Sequence, residues 1–104
     1  MNRTIKFRCW NKKEKKMYFD ITDLAYTNSS NGFELMQFTG LLDKNGKEIY
    51  EGDIMALKTK GIFRITVRWN ERTAKFIAEG KDFEHQMNYT AQQYEVIGNI
   101  YENP

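Results

Sequence analysis

Apolar and polar residues alternate with a period of two along much of the chain, which is the spacing of half-buried β-strands. From Thr4 to Trp10, Ile5, Phe7 and Cys9 fall on one side and Lys6, Arg8 and Trp10 on the other. This predicts an inward apolar face and an outward basic one. Asn11–Lys16 is a charged turn and Met17–Ile21 resumes the apolar run, so the two segments read as an opening hairpin. Asp20–Tyr26 fits either a short strand or a helical turn, and Asn28–Gly32 has the composition of a loop. Phe33–Phe38 reads as a strand with apolar residues on both faces, and Ile54–Lys58 as another. The best strand is Ile62–Trp69, in which Phe63, Ile65, Val67 and Trp69 alternate with Arg64, Thr66 and Arg68. Thr73–Ala78 returns as its partner after a turn at Asn70–Arg72. Lys81–Ala91 has no clean period, and it reads as a packed loop or the approach to a helix starting near Thr90. Gln93–Tyr101 is the closing strand, with Gly98 as a bulge or close-packing point.

The chain is organised around Phe38–Ile54. Asn45-Gly46 is a strong hairpin signal, because a type I′ turn needs two residues that tolerate positive φ. Leu42 and Ile49 then flank a tight reversal, and Glu51-Gly52-Asp53 makes a second corner leading into Ile54. The prediction is a single domain over residues 1–104. It is mostly β, a small barrel or strongly curved antiparallel sheet with at most one short helix. Its middle follows the strand order of an SH3-like barrel, an architectural likeness that carries no function.

The same stretch, FTGLLDKNGKEIYEGDI, preceded by IKFRCWNKKEKKMYF and followed at the end by YEVIGNIYENP, resembles the YopX family of small bacteriophage and prophage proteins. The blocks occur in the family's order and span nearly the whole chain. Asn11 and Leu42 depart from the family pattern, which often has an Asp after the early Trp and a basic residue at the second position. The resemblance implies a phage origin and a setting in the host cytoplasm. It brings no activity and no catalytic residues.

Composition narrows the choice further. With 104 residues, 40% hydrophobic and 14% aromatic, the chain suits one small core without staples. A lone cysteine, Cys9, rules out an internal disulfide framework and fits a reducing compartment. The polar start and the lack of a long apolar run lead to the expectation of a cytoplasmic protein with neither secretory signal nor membrane partner. A net charge of +2 permits nucleic-acid contact without arguing for it.

Catalytic chemistry finds little material. Cys9 and His85 are too few for a structural zinc site. The acids Asp43, Glu48, Glu51 and Asp53 flank turns, where they are expected for local hydrogen bonding. Cys9 with His85 is the one thiol–imidazole pair, and no flanking motif supports it. Phosphate-cradling glycine patterns are absent. The expectation is a non-catalytic protein without metal or cofactor that acts by binding. One candidate surface is an interface patch of Met36, Phe38, Met55, Met87 and Tyr89. It would serve self-association or a host or phage protein, since five methionines and 14% aromatics exceed what a small core comfortably hides. The alternative is a nucleic-acid site built from Lys6, Arg8, Arg64 and Arg68, with Trp10 as a stacking ring, although Trp10 reads first as a lid over the core.

Overall fold

The computed structural model describes residues 4–21, 32–59 and 61–102, apart from the side chain of Tyr89. Most of Asp20–Tyr26 and of the Asn28–Gly32 loop lies outside them. Within the described residues the chain is mostly β. The first sheet holds β1 (Phe7–Asn11), β2 (Lys16–Phe19), β3 (Phe33–Leu42) and β4 (Glu48–Tyr50), in the order β2-β1-β3-β4. The second holds β5 (Asp53–Lys58), β6 (Ile62–Asn70), β7 (Lys75–Glu79), β8 (Glu84–Gln86) and β9 (Glu95–Asn99), in the order β8-β7-β6-β5-β9. All described pairings are antiparallel. A single helical turn, α1 (Met87–Thr90), sits between β8 and β9. The aperiodic stretch Lys81–Ala91 thus holds a short strand and a helical turn that begins before Thr90. No helix among the described residues is long and apolar enough to cross a membrane.

Two hairpins share one turn device. Asn11 Oδ1 accepts the backbone N–H groups of Lys13 and Glu14, both at 2.9 Å, and Lys15 takes φ +55°. Asn70 Oδ1 likewise accepts from Arg72 and Thr73, and Ala74 takes φ +53°. In each case an asparagine side chain satisfies the turn's N–H groups and a left-handed residue closes it. The β3–β4 reversal differs from the two-residue turn expected. Only Gly46, at φ +84°, is left-handed, and Asn45 is not. Gly46 N–H donates to Asp43 O at 3.0 Å and Asp43 N–H to Lys47 O at 2.8 Å, a three-residue loop whose glycine carries the bulge.

The Glu51-Gly52 corner joins the sheets. Glu51 N–H donates to Gln37 O in β3, Gly52 N–H to Val67 O in β6 (2.8 Å), and Ile100 N–H to Gly52 O (2.9 Å). Gly52 sits at φ +88°, and a Cβ there would lie 3.3 Å from Met36 Sδ, so geometry and space both call for glycine. The buried side chains form two clusters. One joins Ile49 of β4 to Met55, Ile65, Val67, Ala78, Met87 and Tyr94 around the second sheet. The other packs Trp10, Met36, Phe38 and Tyr50 in the first sheet.

The first strand departs from the sequence expectation on its basic face, which is buried as well. Arg8 and Trp10 turn inward at 5% and 8% exposure, and Ile5 is 64% exposed. Cys9 on the other face is also fully buried, so β1 is covered on both sides. In β6 the apolar face lies as predicted, with Ile65 and Val67 buried and the end residues Phe63 and Trp69 exposed.

Candidate functional site

The seam between the sheets holds a buried charge pair. Arg8 lies on β1 and Asp53 opens β5, 45 residues later. Asp53 is 1% exposed, and its Oδ1 accepts from Arg8 Nη2 at 2.5 Å while its Oδ2 accepts from Tyr50 N–H at 2.7 Å. Arg8 Nη2 also reaches Met36 Sδ at 3.5 Å, and the guanidinium carbon stands 4.4 Å from the Tyr50 ring centroid. Arg8 Nε is buried without a hydrogen-bond acceptor. Burial drives the Asp53 carboxyl upward. The Arg8 charge and the Tyr50 N–H pull it back, and it remains above the ordinary carboxylate value. The Tyr50 phenol is pushed up to about 12, first by burial and then by the Glu48 carboxylate to which it donates at 3.2 Å.

A second carboxylate ties the β3–β4 loop to β9. Asp43 Oδ1 accepts from Asn45 N–H (2.8 Å) and Lys47 N–H (2.9 Å), and Oδ2 accepts from Val96 N–H (2.9 Å). Burial alone would raise this carboxyl, but the backbone donors Val96, Lys47 and Asn45 outweigh it and hold it below its usual value.

Between these two anchors a cleft of about 300 Å³ opens, with Arg8, Tyr50 and Asp53 against Met17, Phe19, Lys47, Glu48, Val96 and Gly98. It draws walls from both sheets.

The candidate nucleic-acid residues are not brought together. Lys6 is ion-paired with Glu48 and lies over the Phe38 ring, and Arg8 and Trp10 are interior, all in or beside the first sheet. Arg64 and Arg68 belong to the second sheet; Arg64 is exposed, and Arg68 Nε donates to Glu79 at 3.1 Å. The expected basic stripe is therefore not formed, and of the two readings of Trp10 the one that covers the core holds and the stacking ring does not. Arg8 could turn inward because Asp53 compensates its charge, and Trp10 is core because β1 is covered on both faces.

The proposed interface patch is corrected as well. Met36, Phe38, Met55 and Met87 are all 7% exposed or less, because two clusters rather than one absorb them. The side chain of Tyr89 lies outside the described residues. Cys9 is buried in β1, where burial pushes its thiol up and away from the reactive thiolate. His85 lies in β8 at the edge of the other sheet.

The sequence reading missed Arg8, Tyr50 and Asp53 as a structural set. The signal for it was an arginine placed between apolar neighbours, Phe7 and Cys9-Trp10, in a strand whose two faces are both apolar.

Comparison with known proteins places this architecture. The YopX protein family model matches residues 20–104, most of the chain and all of the central connector. The chain belongs to the YopX family. The crystal structure of protein EF1440 from Enterococcus faecalis is similar to this YopX-family chain, with a TM-score of 0.75 and 27% identity. The match covers 99% of this chain and 97% of that one. No curated protein matches.

Proposed function

We infer that this YopX-family chain is a non-catalytic accessory protein of phage or prophage origin, acting in the host cytoplasm through contact with protein, a second copy of itself first. The observation that carries this reading is the tip of the β5–β6 hairpin. Ile62 is 63% exposed and Phe63 51% exposed, on opposite faces of the same strand end. Phe63 stands opposite Leu57, a half-buried residue at the margin of the larger cluster, so the core's apolar surface runs out to the tip. Adjacent large apolar side chains left in water favour burial against a partner. The net charge of +2 sets up little repulsion between copies. The separation of Cys9 from His85 into different sheets supports the non-catalytic part.

Sedimentation velocity across a wide concentration range tests it. Self-association in the wild type that is lost in an Ile62→Ser, Phe63→Ser variant with unchanged circular dichroism is the expected result. A wild type that stays monomeric at the highest concentration removes self-association from the account.

A further inference from the structure

We propose that copies of this chain join head to tail, with the β5–β6 tip of one seated in a cleft at the opposite end of β6 in the next. Resting on the self-association reading, this contact adds the surface that receives the tip.

The cleft lies where the Glu51-Gly52 corner joins β3 to β6. Leu35, Met36, Trp69, Ile100 and Tyr101 line it, and its volume is about 180 Å³. That is below the range of roughly 300–1,000 Å³ in which small-molecule sites fall, so it suits one large side chain rather than a whole ligand. Gly52 keeps the floor open. A Cβ there would stand 3.3 Å from Met36 Sδ and 3.6 Å from Ile100 Cγ1, in contact with two of the lining residues. Leu35 and Trp69 are exposed at the rim, and Trp69 is braced edge-on by Phe76, with ring centroids 5.0 Å apart.

The tip matches the cleft in size and charge. Phe63 offers the large apolar side chain, and ring contact with Trp69 adds to simple burial. Residues 57–64 include three basic residues and no acid. Arg64 is exposed next to Phe63 and forms no ion pair among the described residues. Glu51 lines the cleft and is likewise unpaired among them, whereas the cation beside it, Arg68, is taken by Glu79 at 3.1 Å. A cationic tip therefore meets an anionic rim.

The contact cannot form within one chain. Phe63 and Trp69 share one strand and stand roughly 20 Å apart along it, at about 3.3 Å per residue. Only another copy brings them together. Each contact uses two different patches and leaves one of each free, so it grows into a ring or a filament unless one patch is blocked.

Sedimentation velocity on the full chain tests this with two variants. The tip variant is Ile62→Ser, Phe63→Ser. The cleft variant is Leu35→Lys, Glu51→Lys, which sets cations against the cationic tip. Each alone should self-associate at least about tenfold more weakly than wild type, with unchanged circular dichroism. Mixed in equal amounts they should form a heterodimer that grows no further, because one supplies the intact cleft and the other the intact tip. A cleft variant that associates like wild type, or a mixture that stays monomeric while wild type associates, overturns the head-to-tail contact and leaves self-association standing. A wild type that stays monomeric removes both. Glu51→Lys alone, with a weakening of about fivefold expected, carries the same test where the double cleft variant fails to fold.

Discussion

Replacing Arg8 with methionine is the most searching test of how the two sheets are held together. Methionine keeps much of the unbranched stem that packs near Met36 and Tyr50 but removes the charge. Asp53 would then be left at 1% exposure with the Tyr50 N–H as its remaining hydrogen bond. Removing one partner of a buried ion pair typically costs about 3–5 kcal/mol, chiefly through the orphaned charge. A domain of this size is stable by only about 5–15 kcal/mol, so the variant should lose a large share of its stability. With a urea m-value of roughly 2 kcal/mol/M, the unfolding midpoint should fall by about 2 M. Tryptophan fluorescence reports it, since Trp10 is buried in the same cluster. The double variant Arg8→Met, Asp53→Asn removes both charges and leaves an amide oxygen for the Tyr50 N–H. Its loss should be smaller than the sum of the two single losses by about 2 kcal/mol or more. Single variants that each cost under about 1 kcal/mol and simply add would refute the reasoning, because that is how a solvated surface pair behaves.

The corner and the turns make further predictions. Gly52→Ala forces a side chain into a left-handed position beside Met36, so a loss of about 2 kcal/mol is expected, read as a thermal midpoint about 10 °C lower; an unchanged midpoint contradicts the corner geometry. Ala74→Gly relieves φ +53° at an exposed turn and should raise stability by about 0.5–1 kcal/mol in a denaturant titration, whereas a loss would mean the turn is not left-handed there. Asp43 is held below its usual value, so its contribution is present above the unfolded pKa of about 4 and is lost as pH falls through the lower folded value. Asp43→Asn should therefore be less stable than wild type at neutral pH, with the gap closing in acid; a constant gap from pH 7 to 2 counts against the Asp43 network. Finally, Arg64 and Arg68 can supply about two phosphate contacts, so duplex DNA bound through that strand face should show a log–log salt slope no steeper than about −2. A steeper slope in anisotropy measurements would restore a larger basic surface.

Local features of the fold were legible and long-range ones were not, for a physical reason. Alternation reports that a segment is a strand, because the period of two is built into the extended backbone. Which of two faces turns inward depends on what arrives from elsewhere in the chain. For Ile62–Asn70 the two faces differ so much that the choice is plain, and it was read correctly. For Phe7–Asn11 they do not: one face offers Phe7 and Cys9, the other Arg8 and Trp10, and the charge on Arg8 suggests a solvent-facing side where the structure buries both. The deciding fact is a carboxylate 45 residues away, placed by a glycine that must be left-handed. Likewise Asn45-Gly46 announced a reversal, but Asp43, reaching across to Val96, set its length. The methionine-rich patch failed because it assumed one core. Met36 and Phe38 pack in one cluster and Met55 and Met87 in the other, and the large apolar side chains left outside are different ones, such as Phe19, Ile62, Phe63 and Trp69. A strand with aromatic or sulfur side chains on both faces is better read as covered on both, and any arginine within it then requires a buried acid. The Glu51-Gly52-Asp53 corner, where a left-handed glycine aims the next carboxylate back across the seam, is where that requirement would have led.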